Sequence, residues 1–516
     1  MAFASASQIE AGASFEADVC IVGAGPAGLA VAMELAAAGR DVLVFEAGGF
    51  LDASAVTGDP STPRFGGAAW YGRCVPLDPI DFEARPWVAT SGWPVDSEEI
   101  RSRHTRAARF LGLPRVDSLD PSLWKDDPTY RVLNGDGVAV GVHPLTRTND
   151  LGRRHRRAVA ASPRLNVVLN ATAIALDVDR NARAITGVRA RGPGGRAISG
   201  RARRYVLAGG GVENARLLLT LLADNPSVLG PSSDAVGRYH MNHARAEGAA
   251  RLRLDPSHPA YLNLFRRLTQ GYTHRIRGLM QLAMNLDAAT QRKERLLNAC
   301  AFFYASSIPR VAALGEHLRR LRASAASRSF GHDELTRAFQ VARALPTIAR
   351  AGLAHIRRRP FALDGLVMVE QHEQRPARES RLTLRGERDR FGRIDFQVPF
   401  QIDEATKRTQ RRFHQLIAER VRSQGIGRLD SRLDDPEFQP EFQDAFHPMG
   451  STRMSTDPHL GVVDPQARVH GLHNLYVAGS SIFPTGGQAN PTLTIVALAI
   501  RLADHIRAQG PRGANS

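Results

Sequence analysis

No stretch of roughly eighteen or more apolar residues occurs in this chain, so nothing in it reads as a transmembrane helix. Residues Met1 to Phe15 form a polar tail of small residues, with no basic start, no apolar middle and no paired arginines. That pattern lacks a secretory signature, and the expected location is cytoplasmic. Cysteine is scarce: Cys20, Cys74 and Cys300 stand far apart, without metal-type spacing. Neither a zinc site, nor any other metal, nor a disulfide framework is expected from them, and a reducing compartment fits.

What is present is an ordinary globular composition: 516 residues, 43% of them hydrophobic, enough for two to four domains. The formal net charge is +17. A basic excess attracts phosphates over long range, so nucleic acid and anionic membranes come first to mind. Much of the excess lies in the segment 310–359, where eleven arginines face only Glu316, Asp333 and Glu334. Aromatic residues do not alternate with these arginines to stack on bases, so no nucleic acid partner is expected. The segment reads as a solvated helical face. The alternative is a docking surface for an acidic protein, an electron acceptor or a membrane.

Residues Ala17 to Glu46 read as strand, glycine turn, helix and strand, a βαβ unit. From 49 to 97 the chain is rich in Gly, Pro and Asp, which predicts an ordered, irregular excursion; loops this long usually bind something. Strand-like stretches at Val167 to Leu169, Ile185 to Arg189 and Tyr205 to Leu207 return to the first unit, and Asn214 to Leu222 looks helical. We therefore assign 15–237 to a first domain and 238–401 mainly to a second. The range 402–446 is a connecting helix and linker, with Phe413, Leu416, Ile417 and Val421 on one face, and 447–508 returns to the first domain.

Gly23, Gly25 and Gly28 form Gly-x-Gly-x-x-Gly directly between an apolar strand and a helix, with Glu46 ending the next strand. Gly23 permits the tight turn, Gly25 lets a pyrophosphate approach, and Gly28 allows helix and strand to pack closely. The helix N-terminus then faces the anion, and Glu46 would accept hydrogen bonds from ribose hydroxyls. NAD and FAD share this fingerprint. Gly48-Gly49 after the glutamate is commoner where FAD runs extended.

The C-terminal part carries His447-Pro448-Met449-Gly450-Ser451-Thr452-Arg453, then Asn474 to Gly479, and Asn490-Pro491-Thr492-Leu493-Thr494. Together with Phe65-Gly66-Gly67, Pro76-Leu77-Asp78 and Ser380-Arg381-Leu382, these motifs resemble the glucose-methanol-choline (GMC) oxidoreductase family. Within it the chain most resembles the bacterial branch with pyranose oxidases and aminoglycoside-pathway alcohol oxidases. The resemblance implies an α/β fold: a Rossmann-type FAD-binding domain built from discontinuous segments, plus a sheet-based α+β substrate domain. It also implies FAD contacts at Gly67, Gly479, Asn490, Pro491 and Thr492, besides the glycine turn and Glu46. The chain departs from the family in the loop 66–72, which lacks the usual threonine and the asparagine or histidine. Without a histidine there, non-covalent FAD is expected.

The chemistry implied is oxidation of a CH–OH group on a sugar, aminocyclitol or other polyol, with hydride passing to flavin N5 and electrons to molecular oxygen or another acceptor. Such a step needs a base near the hydroxyl, and histidine suits it. The resemblance gives that role to His447, with Asn490 donating to the same oxygen. Pro491, at the first helical position, and Leu493, Val496, Ala497 and Ile500 describe an amphipathic helix whose positive end would face the flavin. Read alone, Asn490 is a good helix cap and His447 a structural histidine. His459, His470, His473 and His505 are taken as structural, and Glu213 and Asn214 as holding a strand-to-helix turn. Competing functions are a hydroxynitrile-lyase-type reaction on the same fold and, less well matched to the C-terminal motif, a flavin monooxygenase.

Overall fold

The computed structural model describes residues 2–50, 64–67, 72–113, 126–146, 150–269, 272–274, 278–305, 342, 365–389 and 391–510. The Arg-rich segment 310–359, Ala342 apart, and residues 68–71 of the flavin loop lie outside them.

Two sheets organise the chain. In the first, Leu165–Leu169, Val42–Phe45, Ser14–Val22, Ala197–Leu207 and Leu475–Val477 run parallel in that order. Val19 to Val22 and Val42 to Phe45 are buried without alternation, as expected of strands covered on both faces. Phe3–Ser5 adds an outer parallel strand, and Ala184–Arg191 and Thr172–Asp179 extend the sheet antiparallel. The helix Pro26–Ala37 follows the first glycine turn, starting with proline and running through alanine and leucine, strong helix formers. The helix Thr492–Ala508 packs beside it and buries Leu493, Val496, Ala497 and Ile500. Pro491 caps this helix in the helical region instead of opening its first turn, a shift of one residue from the sequence expectation.

The second sheet is antiparallel, in the order Tyr272–His274, Gly278–Leu286, Ala299–Ala305, Leu366–His372, Ala244–Leu254 and Gly427–Ser431. Alternation gives it two different faces. One carries Leu282, Met284, Phe303, Met368 and Leu252 against Phe413, Leu416, Ile417 and Val421 of the helix Glu404–Ser423. The other carries His143, Gln281, Asn285, Tyr304 and Gln371, and looks toward the first sheet's loops.

The sheets do not follow the boundaries drawn from sequence. Val138–Pro144 falls within 15–237 but pairs with Gly278–Leu286 over seven residues. Gly427–Ser431 and Phe442–Asp444, within the presumed linker 402–446, pair with Ala244–Leu254. Phe3–Ser5, before residue 15, joins the first sheet. Ladder partners more than a hundred positions away decide these strands, which no local pattern reveals. Among the described residues no helix is long and apolar enough to cross a membrane.

Candidate active site

The glycine turn is built by close approach. Gly23 has φ +100°, and a Cβ on it would stand 2.6 Å from the Ala208 carbonyl oxygen. A Cβ on Gly28 would stand 1.9 Å from the Gly23 oxygen, so helix and strand meet there only through glycine. Gly25 differs: its Cβ would touch only Gly67 Cα, at 3.9 Å. Gly67 itself, at φ +84°, lies over Pro26, and the Gly66 N–H donates to the Ala24 carbonyl at 2.9 Å. The helix Pro26–Ala37 has no side-chain cap and no acid in its first turn, so its positive end faces the space beside Gly25.

Glu46 is buried beneath this turn. Its two carboxylate oxygens accept from the backbone N–H groups of Ala24 and Gly48, each at 2.7 Å. Burial pushes its carboxyl up to about 7, against the pull of those two bonds. Glu46 therefore braces the turn from beneath. Asn214 accepts from the Gly209 N–H at 2.7 Å and donates to the Ala478 carbonyl at 3.2 Å, tying the glycine turn that follows Ala197–Leu207 to the one at Gly479. Glu213 pairs with Arg216 and Arg393.

His447 comes to this domain through a two-residue bridge. Met241 and Met449 exchange backbone hydrogen bonds of 3.0 and 2.9 Å, and Ser480 Oγ donates to the Pro448 carbonyl at 2.7 Å, next to Gly479. Asn242 Oδ1 accepts the backbone N–H of both His243 and His447, at 2.9 and 2.8 Å. The rings of His243 and His447 meet edge to face, Nδ1 to Nδ1 at 2.9 Å. On its other side His447 Nε2 faces Asn490 Nδ2 at 3.2 Å.

Burial holds His447 well below the ordinary histidine value of 6.5, and the charges of Arg73 and Arg245 push the same way. The resting ring is neutral. Asn490 is no helix cap: the helix Thr492–Ala508 has no side-chain cap, and Asn490 Oδ1 is buried without a protein partner. Nearby Thr494 Oγ1 is also buried and unpartnered. His470 bonds the Ser455 carbonyl and His505 bonds Gln509, as expected of structural residues.

The loop bearing Asn490 rests on a buried charged cluster. Arg85 forms a two-point bond with Glu373, at 2.8 and 2.5 Å, and Asn298 donates to both Asp78 and Asp81. A Cβ on Gly487 would stand 2.1 Å from Asp81 Oδ2, so the loop is seated directly on this cluster. Trp93 and Thr485 add a hydrogen bond of 2.8 Å.

Sequence reasoning named the turn glycines, Glu46, Gly67 and Gly479, and the structure places the first five around one turn. It named His447 and Asn490, which the structure brings together. It missed His243 and Arg73. The Tyr239 to His243 stretch offers no periodic signal; its only hint was two histidines closely spaced before a strand.

An FAD fits these residues. A side chain at Gly25 would fill the open cradle beside an uncapped helix, and orphaned polar atoms wait at Asn490 and Thr494. The comparisons agree on the class, an FAD-dependent oxidoreductase: residues 18–75 match the FAD dependent oxidoreductase family, and 376–499 match the GMC oxidoreductase family. The chain thus carries a C-terminal stretch similar to the GMC oxidoreductases behind an N-terminal stretch similar to FAD dependent oxidoreductases.

It is 43% identical over 75 residues to a C-glycoside 3-oxidase of Microbacterium trichothecenolyticum, covering 14% of this chain and 15% of that protein. To the fructose dehydrogenase large subunit of Gluconobacter japonicus it is 24% identical, over 66% of this chain and 53% of the other. These matches thus span well under two thirds of the relatives' own lengths. The fold is similar to that of pyridoxine 4-oxidase from Mesorbium loti, with TM-score 0.56 and 15% identity over 95% of this chain and 99% of that one.

Proposed function

We propose that the chain oxidises a CH–OH group of a sugar or other polyol to a carbonyl, with His447 as the base. The observation that carries this is the pair His447 Nε2 and Asn490 Nδ2, 3.2 Å apart, on a neutral buried imidazole between the FAD domain and a polar sheet face. The substrate oxygen lies against both atoms: its proton goes to His447 Nε2, and Asn490 Nδ2 donates to the oxygen as negative charge develops there. FAD, when bound, supplies the acceptor for the hydrogen and electron pair that leave the carbon. Molecular oxygen or another acceptor finally takes the electrons.

The polar face supports an oxygen-rich substrate. Arg73 donates to Gln281 and Tyr304, at 2.8 and 2.9 Å, and stacks over Phe302. Both ring nitrogens of His143, Asn285 Oδ1 and Gln488 Oε1 are buried without protein partners. Such atoms suit several hydroxyls, and the charges of Arg73 and Arg245 favour neutral or acidic polyols over amines such as aminocyclitols.

The test is an anaerobic screen of alcohols and glycosides for flavin bleaching, followed by air. A bleaching polyol supports the reading. A substrate consumed while the flavin stays oxidised would replace it with a lyase reaction, and no bleaching by any alcohol would remove it.

A further inference from the structure

The rings of His243 and His447 stand edge to face. Their Nδ1 atoms face each other at 2.9 Å, and one proton can lie between two neutral rings at that distance. Which ring owns it is decided at the far side of His243, where Nε2 lies 3.4 Å from the Gly486 carbonyl oxygen. A carbonyl can only accept. Nε2 of His243 must therefore carry a hydrogen, which leaves its Nδ1 as a bare acceptor in the neutral ring. His447 Nδ1 is then the donor, and its Nε2 keeps a free lone pair toward Asn490. The opposite assignment sets a lone pair of His243 against the Gly486 oxygen and puts a hydrogen on the atom of His447 that must accept one.

We infer that His243 is a positioning residue, which holds the proton of His447 on Nδ1 and so keeps Nε2 free to take the substrate's proton. This rests on the reading of His447 as the base. The chain runs in one direction: Asn490 Nδ2–H to His447 Nε2, His447 Nδ1–H to His243 Nδ1, and His243 Nε2–H to the Gly486 carbonyl. When the substrate proton arrives on Nε2, His447 becomes an imidazolium whose Nδ1–H still donates to His243. His243 does not pass that proton on, because its other nitrogen is already protonated against a carbonyl.

The geometry also makes the device rigid. Asn242 Oδ1 clamps the backbone N–H groups of both histidines, and Gly486 belongs to the same loop as Asn490. One loop therefore fixes the tautomer at its start and orients the substrate oxygen at its end. A neutral partner suits this position: burial keeps His243 uncharged at about 4, whereas a carboxylate there would hold His447 protonated. The charged groups that act on the pair are Glu373 on His243, and Arg73 and Arg245 on His447.

The test has a readout that needs no substrate. In the FAD-loaded enzyme with 15N-labelled histidine, the ring signals of His447, assigned by their loss in His447→Gln, should report the Nδ1–H form, and those of His243 the Nε2–H form. An Nε2–H form of His447 would overturn the inference, whatever the enzyme turns over. With a bleaching substrate, His243→Phe should slow the limiting rate of flavin reduction by about tenfold or more, with FAD content and substrate affinity retained. His243→Gln, whose amide oxygen can accept from Nδ1, should recover most of that loss. Equal rates for wild type and His243→Phe, or no recovery with glutamine, would also overturn it. Failure of the proposed function would show separately, as a His447→Ala enzyme that still reduces its flavin.

Discussion

Asn490 Nδ2 lies 3.2 Å from His447 Nε2, although 43 positions separate the two residues. The Met241–Met449 bridge and the seat of the 486–490 loop on the Asp81 cluster create that contact. Neither residue is held there by its own helix or strand.

Asn490→Ala should slow anaerobic flavin reduction while changing the melting temperature little. The side chain caps no helix, so the loss of about 1 kcal/mol typical of a removed cap is not expected. What is lost is one hydrogen bond to a developing oxyanion, worth a few kcal/mol at most, or roughly ten- to a few hundredfold in rate. A large fall in stability at an unchanged reduction rate would show a structural role instead.

The glycine turn separates cofactor from fold. Gly25→Ala places its methyl group in open space, so the protein should fold and yet load little FAD. Gly28→Ala drives its methyl group to 1.9 Å from the Gly23 oxygen and should destabilise the protein itself. Absorbance for FAD content and thermal melting for fold distinguish them. Wild-type protein precipitated with acid should release intact FAD into the supernatant. Full FAD content in Gly25→Ala would mean that the pyrophosphate lies elsewhere.

The pH dependence follows from buried imidazoles. His447 is depressed well below 6.5, so its proton-accepting form persists through that value and flavin reduction should show no acid limb near it. Stability behaves differently. His143, His240 and His243 are pushed down to about 3, 4 and 4 by burial, so on acidification the unfolded chain takes up their protons first. Their contribution is present above the ordinary value of 6.5 and falls away as pH drops toward about 4, at about 1.4 kcal/mol per unit and group. Melting temperatures measured between pH 8 and 4 should decline below about 6.5; a flat profile would contradict the burial of these rings.

Some of this was legible in the sequence, and the reason is locality. Gly23 to Gly28 and Glu46 do their work within one βαβ unit, so strand, turn and helix chemistry identified them directly. His447 and Asn490 could be paired only through a family resemblance, because spacing across 43 positions carries no geometry. His243 was invisible: its partner stands 204 positions away, and a buried histidine before a strand looks like any other. Val138–Pro144 was misassigned for the same reason, since its ladder lies at Gly278–Leu286.

Arg73→Met should raise KM for the substrate more than it lowers kcat, because Arg73 braces Gln281 and Tyr304 on the polar face proposed to hold the substrate. Neutral or acidic polyols should bleach the flavin at lower concentrations than matched amino alcohols. A preference for the amine would contradict the positive field of Arg73 and Arg245.

The most direct test of the central claim is stopped-flow reduction of folded, FAD-saturated His447→Ala under anaerobic conditions at neutral pH. Removal of a positioned base should slow the step by roughly a hundredfold or more with FAD still bound. A His447→Ala enzyme that reduces its flavin within about threefold of wild type, a difference under 1 kcal/mol, would contradict the account.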